Sequence, residues 1–167
     1  MDRLWTPWRY QYITGASDEK IGGDDPSSSC IFCSIQQDPA ADERNFILHR
    51  AGHNFIILNL YPYTSGHLLI IPYLHTSELD AVPKEATDEL MDLTKRAQTL
   101  LREAYKPDGF NLGMNLGRAA GAGVAGHVHL HIMPRWTGDS NFMTTVGETR
   151  VLPEDLPTTY NTLRGKF

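Results

Sequence analysis

The sequence has only two cysteines, no long apolar run and no excess of positive charge. Two cysteines three positions apart cannot build the disulfide framework that stabilises many small secreted domains. No apolar run approaches the roughly 20 residues that span a bilayer, and the first ten residues lack the apolar region of a secretory signal. A net charge of −5 argues against binding to nucleic-acid polymers through their phosphates. We therefore expect a cytoplasmic enzyme or binding module that contacts neither a membrane nor a nucleic-acid polymer.

The length of 167 residues and the 41% hydrophobic content suffice for one globular domain with a buried core. Residues 1–29 are predicted to form an N-terminal arm, aromatic in its first half and rich in glycine and serine in its second half. We expect the aromatic half to pack on the domain or on a partner subunit and the second half to be flexible. Residues 30–136 form the predicted domain core. Residues 137–167 are predicted to be a C-terminal extension of loops and one short helix, packed on the core or on a partner subunit.

The hydrophobic pattern predicts five short strands and one long helix. The strands are residues 45–49, 53–58, 67–71, 110–115 and 127–133. From Pro83 to about Tyr105, apolar residues recur every three or four positions, which predicts a helix with one apolar face. Several strands of antiparallel type with a single long helix predict an α+β fold.

Three histidines, His127, His129 and His131, alternate with apolar residues in the last predicted strand, directly after a glycine-rich segment at residues 117–126. Side chains alternate between the faces of a strand, so the three imidazoles are expected on one face, about 6.5–7 Å apart. The pattern fits a solvated sheet face, a metal site, or a catalyst in which neutral imidazole attacks phosphorus. A metallohydrolase usually has acidic ligands close by, whereas the nearest acid after the three histidines is Asp139.

Residues 127–136, HVHLHIMPRW, resemble the signature of the histidine-triad (HIT) family of nucleotide-binding proteins. Supporting matches lie at Leu58–Asn59, Pro62, Ser65–Pro72 and Asn115–Gly117. Residues 4–9 and 136–143 resemble a bacterial subgroup of the family that includes diadenosine tetraphosphate phosphorylases. The resemblance covers most of the chain and implies a HIT-like fold, an antiparallel sheet with one long helix, a homodimer and a nucleotide substrate such as AMP, ADP, ATP or a diadenosine polyphosphate.

The resemblance also implies a role for four histidines. His129 would be the nucleophile that attacks the α-phosphorus and forms a covalent AMP–histidine intermediate. His131 would bind phosphate and assist the leaving group, and His127 would orient the ring of His129. His67 would support the triad from behind, although a buried core histidine has the same appearance in a sequence.

Two asparagines and the glycine-rich loop complete the implied substrate site. Asn59 would contact the ribose hydroxyls, although by itself it also fits a turn cap. Asn115 would contact the α-phosphate or the leaving group. Many family members have a glutamine or a hydroxyl residue four or three positions before the first triad histidine, where this chain has Gly123 and Val124. The backbone N–H groups of Ala122 and Gly123 remain to hold an anion there.

The acceptor of the nucleotidyl group is predicted to be phosphate. In the wider superfamily a histidine at the third triad position accompanies hydrolases, so His131 favours water. Residues 136–143 and the N-terminal arm favour phosphate. We therefore predict a nucleotidyltransferase acting on diadenosine tetraphosphate. The alternatives are a HIT hydrolase acting on dinucleoside polyphosphates or AMP conjugates, a nucleotide-binding regulatory module with little turnover, and a metal-dependent hydrolase.

Cys30 and Cys33 have the spacing of half a zinc site and also of a thiol-redox motif. The redox hypothesis requires a helix that starts after a strand, whereas a serine-rich loop precedes this pair. Some family members with such a pair bind a structural zinc through a histidine after the Ile-Pro strand end and through the first triad histidine. The resemblance thus implies a zinc site at Cys30, Cys33, His75 and His127, with no cofactor required for the chemistry. A redox-active or merely buried cysteine pair remains the alternative.

Overall fold

The computed structural model describes residues 30–149 and 151–167, so the predicted N-terminal arm lies outside the described residues. The strands are β1 (Ile47–Arg50), β2 (Asn54–Leu58), β3 (Leu68–Pro72), β4 (Gly109–Met114) and β5 (Leu130–Arg135). The helices are α1 (Ile31–Gln36), α2 (Lys84–Tyr105), α3 (Phe142–Thr145) and α4 (Leu156–Leu163). In these two ranges, none of the helices has the length and apolar character needed to cross a membrane.

The five strands form one sheet in the order β1-β2-β3-β5-β4, and every neighbouring pair is antiparallel. The predicted α+β fold, an antiparallel sheet with one long helix, is therefore confirmed. Four of the predicted strands lie within two residues of the observed ones, because each carries an apolar pattern that ends at a turn. The fifth strand starts later than predicted, with consequences for the site described below.

Each face of the sheet is covered by a helix. Residues of β2 and β3 alternate between the faces because successive side chains in a strand point in opposite directions. One set packs with the buried stripe of α2; it comprises Ile56, Leu58, Leu68 and Ile70. The other set packs with α1; it comprises Phe55, Ile57, Leu69 and Ile71. This second face, under α1, is the side on which the triad lies.

The C-terminal extension contributes to the same core. Tyr160 and Leu163 of α4 are buried among the residues that pack on α2, and Tyr160 Oη donates to the carbonyl of Ile47 over 3.3 Å. Asp155 caps α4 by accepting the backbone N–H of Thr158 over 2.9 Å. The predicted short C-terminal helix corresponds to α4. The helices α1 and α3 were not predicted, because six and four residues are too few to show a helical period.

The last strand, β5, begins at Leu130 and contains only His131 of the three histidines, whereas the sequence predicted a start at His127. The reason lies in β3. Its last residue, Pro72, has no N–H to donate to a neighbouring strand, and its carbonyl accepts a side-chain hydrogen bond from His127 instead. The ladder between β3 and β5 therefore ends at the Ile70–Leu130 pair, and His127 and His129 precede the strand.

Candidate active site and metal site

His127 is fully buried, and its two ring nitrogens face different partners. Nε2 lies 2.9 Å from the carbonyl oxygen of Pro72, and a carbonyl only accepts, so Nε2 carries the proton. Nδ1 therefore presents a lone pair, and it faces Cys30 Sγ at 3.4 Å and Cys33 Sγ at 3.6 Å. A ring fixed in this way is the usual arrangement of a histidine that ligates a metal.

Cys30, Cys33, His75 and His127 form a compact cluster whose four donor atoms lie within 4.8 Å of one another. Cys30 precedes the first turn of α1 and Cys33 lies within it, which puts both sulfurs on the same side. Cys33 Sγ lies 3.2 Å from His75 Nδ1. In tetrahedral zinc coordination, neighbouring sulfur and nitrogen ligands lie about 3.5 Å apart, which follows from Zn–S and Zn–N bonds of about 2.3 and 2.0 Å. The donor set and its spacing therefore fit a structural zinc ion.

His129 is 4% exposed and is oriented by the backbone of the residue two positions before it. Its Nδ1 lies 2.8 Å from the carbonyl oxygen of His127, so Nδ1–H donates and Nε2 keeps its lone pair. Burial lowers the pKa of His129 below 6.5, which favours the neutral imidazole. The Phe32 ring packs edge-on against His129, with centroids 5.2 Å apart, and against His127, with centroids 5.6 Å apart.

The proton on His131 can be assigned from a chain of hydrogen bonds through His67. The backbone N–H of Tyr63 donates to His67 Nδ1 over 3.2 Å, so Nδ1 is an acceptor and Nε2 carries the proton. His67 Nε2 lies 2.9 Å from His131 Nδ1, so it donates there and leaves the proton of His131 on Nε2. Burial and the neighbouring His129 lower the pKa of His131 to about 4, so this ring is neutral near pH 7.

These assignments give two neighbouring imidazoles complementary roles. The rings of His129 and His131 have centroids 4.9 Å apart and planes inclined by 60°. His129 presents an unprotonated Nε2, and His131 presents an Nε2–H. The pair can attack an electrophilic phosphorus with the first ring while the second donates a hydrogen bond to an anionic oxygen.

Two aromatic residues at the site were missed by the sequence analysis. Tyr63 stacks almost parallel to His131, with planes inclined by 15° and centroids 6.3 Å apart, and its ring is 4.9 Å from that of His67. Phe32 is the other. It lies between the two cysteines in the sequence, so the cysteine motif drew attention to this segment. The motif did not predict that the Phe32 ring contacts the histidines.

The HIT domain family model matches residues 41–138 of this chain. The chain belongs to the histidine-triad family. It is 38% identical over 154 residues to an AP-4-A phosphorylase of Mycobacterium tuberculosis, an alignment that covers 92% of this chain and 78% of that protein.

Solved structures of the histidine-triad family have the same fold. A zinc-bound histidine-triad protein from Mycobacterium smegmatis superposes with a TM-score of 0.66 at 32% identity, covering 84% of this chain and 94% of that one. A hypothetical histidine-triad nucleotide-binding protein from Sulfolobus tokodaii gives a TM-score of 0.65 at 29% identity, covering 82% and 91%.

The remaining residues that the histidine-triad resemblance singled out lie around the triad or in the glycine-rich loop. Asn59 contacts the site through His67, with Nδ2 3.3 Å from Nδ1, while its Oδ1 accepts the backbone N–H of Tyr61 over 3.0 Å and so caps a turn. Asn115 Nδ2 donates to the carbonyl of Gly121 over 3.5 Å.

The loop residues Ala122 and Gly123 are less closely connected to the triad. The backbone N–H of Ala122 lies 3.4 Å from the carbonyl of Gly117, and Gly123 is exposed. Within the described ranges, no hydrogen bond joins Asn115, Ala122 or Gly123 to a triad imidazole. Their predicted contacts with phosphate remain predictions.

Proposed function

We propose that this chain is a nucleotidyltransferase that cleaves diadenosine tetraphosphate at an α-phosphorus with inorganic phosphate as the acceptor. The observation that carries the proposal is the neutral, buried His129, whose Nδ1–H is held by the His127 carbonyl and whose ring centroid lies 4.9 Å from that of His131. Membership of the histidine-triad family and 38% identity to an AP-4-A phosphorylase support an enzyme of this class.

In the proposed first step, the lone pair of His129 Nε2 attacks the α-phosphorus and forms a P–N bond. The bond from that phosphorus to the bridging oxygen breaks, and its electron pair leaves with ATP. The Nε2–H of His131 donates a hydrogen bond to the departing oxygen as charge develops on it. The carbonyl of His127 keeps its hydrogen bond to His129 Nδ1–H and so stabilises the positive charge of the adenylylated ring.

In the proposed second step, an oxygen of inorganic phosphate attacks the same phosphorus. The P–N bond breaks, its electron pair returns to His129 Nε2, and ADP is released from a neutral imidazole. Attack by water would follow the same course but give AMP. The similarity to the M. tuberculosis AP-4-A phosphorylase supports phosphate as the acceptor.

The experiment that tests this function is product analysis with diadenosine tetraphosphate and inorganic phosphate in the same tube. ADP plus ATP supports the proposal, whereas AMP plus ATP would assign the chain to the hydrolases.

We expect His129→Ala to abolish turnover and keep nucleotide binding, and His53→Ala, which removes an exposed imidazole, to change neither. A His129→Ala variant with most of the wild-type rate overturns the mechanism. Nucleotide binding by wild type without any turnover would favour a regulatory module, and activity that a chelator abolishes and a divalent ion restores would favour a metal-dependent hydrolase.

We also propose a structural zinc ion held by Cys30, Cys33, His75 and His127. The spacing of the four donors and the similarity to the zinc-bound M. smegmatis protein support it. The metal would fix the His127 ring, and the backbone of the same residue orients His129. We propose that catalysis itself needs only the imidazoles. We propose that the protein is located in the cytoplasm, because thiols stay reduced there and remain able to bind a metal.

The edge strand β4 supports a homodimer. One side of β4 pairs with β5, and no strand within the described residues pairs with its other side. Leu112 in its centre is 48% exposed. Natural proteins rarely leave such an edge uncovered, and we propose that β4 of a second copy covers it. Leu112→Lys should convert the dimer to a monomer in light scattering, and a wild-type protein that is monomeric would contradict the proposal.

A further inference from the structure

A cavity of about 370 Å³ lies at the end of the sheet where the loop after β2, the end of β5 and the C-terminal extension meet. Tyr63 forms part of its wall and also stacks on His131. Tyr63 therefore connects the cavity to His131, the imidazole that presents an N–H. Its volume is in the usual range for pockets that bind small organic molecules.

The walls of this cavity favour a flat, uncharged and polar group. Three aromatic side chains, Tyr63, Tyr105 and Trp136, line it. Aromatic surfaces of this kind stack on planar heterocycles. Hydroxyl groups of Thr64 and Ser65 are shielded from solvent and have no hydrogen-bond partner among the described residues. A ligand in the cavity would bring polar atoms close to this part of the wall.

The charged residues of the wall do not favour a phosphate group. Arg135 is engaged by Asp139 through two hydrogen bonds of 2.6 and 2.7 Å, so its charge is neutralised. Glu154 accepts a hydrogen bond from Tyr105 Oη over 2.8 Å and leaves a negative charge at the wall. The backbone N–H of Trp136 donates to Asp139 over 3.1 Å, which holds the aromatic wall in place.

We infer that this cavity binds the nucleoside of the leaving nucleotide. The inference rests on the proposed function, in which His131 supports the departing oxygen and ATP is the leaving group. The polyphosphate would then pass Tyr63, and the base and ribose at its far end would enter the aromatic cavity. The first nucleoside and the reacting phosphorus stay at the triad. Binding energy from this second nucleoside would favour dinucleoside polyphosphates over substrates with one nucleoside.

The test compares two substrates that differ only in the second nucleoside, diadenosine tetraphosphate and adenosine 5′-tetraphosphate. Thr144 of α3 lines the cavity, whereas Thr145, its neighbour in the same helix, is exposed and does not. Thr144→Trp fills the cavity, and Thr145→Trp adds the same bulk outside it. We expect wild type to prefer diadenosine tetraphosphate by at least about tenfold in kcat/KM. Thr144→Trp should remove that preference, because it lowers kcat/KM for diadenosine tetraphosphate much more than for adenosine tetraphosphate, and Thr145→Trp should preserve the preference.

Three results would overturn the inference: wild type without a preference for the second nucleoside, a preference that survives in Thr144→Trp, or an equal loss of both activities in a folded Thr144→Trp protein.

A second measurement does not depend on the variant or on turnover. With AMP in excess to fill the triad site, wild type should bind ATP, as measured by calorimetry. Cleavage of diadenosine tetraphosphate without such ATP binding overturns the cavity assignment alone. ATP binding without cleavage of either substrate overturns the proposed function alone.

Discussion

His67 donates its Nε2–H to His131 Nδ1 across 2.9 Å, and the backbone N–H of Tyr63 fixes the direction of that hydrogen bond. A backbone amide can only donate, so His67 must accept at Nδ1 and donate at Nε2. His131 therefore presents an N–H to the site. The protonation of an imidazole at the centre of the proposed chemistry is thus set by a peptide group four residues before His67.

The His67–His131 bond predicts different outcomes for two substitutions of His67. His67→Phe removes the donor and lets His131 adopt the tautomer with an unprotonated Nε2, so kcat for diadenosine tetraphosphate should fall by about a hundredfold. His67→Gln has an amide N–H that can donate to His131 Nδ1, and its kcat should stay within about tenfold of wild type. Steady-state kinetics measure both. Equal losses in the two variants would mean that His67 only fills space.

The buried His131 should make the stability of the fold depend on pH. Its pKa lies at about 4 in the folded protein, against an ordinary value of 6.5, so the unfolded chain binds more protons between these two pH values. The free energy of unfolding should therefore fall as the pH drops from 6.5 to 4, by about 2–3 kcal/mol from this group. His131→Gln should show a shallower loss in urea titrations, and His53→Gln, which removes an exposed imidazole, should follow wild type. Parallel pH curves for wild type and His131→Gln would contradict the assignment.

Phe32 connects helix α1 to the triad, since its ring contacts both His127 and His129. Phe32→Leu keeps an apolar side chain but removes the ring that limits the orientation of His129. We expect kcat to fall by about tenfold with little change in KM. Phe55→Leu is the matched control. Phe55 is buried in the same apolar cluster but stacks on Tyr73, so its substitution should lower stability and leave kcat unchanged. Similar kinetic effects in both variants would show that Phe32 acts through stability alone.

Gly66 is required for the conformation of the loop that precedes His67. Its φ is +73°, and a Cβ there would lie 3.1 Å from Leu101 Cδ2 and 3.3 Å from Pro134 Cγ. Gly66→Ala should therefore lower the free energy of unfolding by about 1–3 kcal/mol. Gly109→Ala is the control, because a Cβ at that position meets no atom within 4 Å and its φ is not in the left-handed region. A loss in Gly66→Ala no larger than in Gly109→Ala would contradict the predicted strain.

The proposed metal site predicts the zinc content of purified protein. We expect about one zinc per chain in wild type purified without chelator, and less than about 0.2 per chain in Cys33→Ser, which lacks one of four ligands. The same variant should unfold at a lower temperature, since a metal that binds only the folded state stabilises it. His53→Ala should retain the metal. Wild type with less than about half a zinc per chain would contradict four-ligand coordination.

The sequence predicted the sheet well because its strands alternate in polarity or are continuously apolar, and each ends at a turn. It predicted α2 because a helix of 22 residues repeats its period several times. It did not predict α1, which has only six residues, and it placed the start of the triad strand three residues too early. That error arose because the end of the ladder between β3 and β5 depends on the contact of Pro72 with His127, which is distant from it in the sequence.

The candidate site was only partly accessible from the sequence. The three histidines are close in the chain, so their spacing revealed them, and the proposed metal ligands were implied by a resemblance. The contacts of Phe32 and Tyr63 with imidazoles depend on how separate elements pack. The protonation of His131 depends on a backbone N–H in a loop, and no pattern of residue types encodes it.

Ninety-seven positions separate Cys30 from His127, although the atoms that face each other are 3.4 Å apart. During synthesis, the cysteines therefore leave the ribosome well before the histidine that completes the cluster. A metal captured by the two thiols alone would remain weakly held and exchangeable until β5 has joined the sheet. Tight binding of the proposed zinc would thus report that the last strand has been added, and the His127 ring, whose residue orients His129, would be fixed only at that stage.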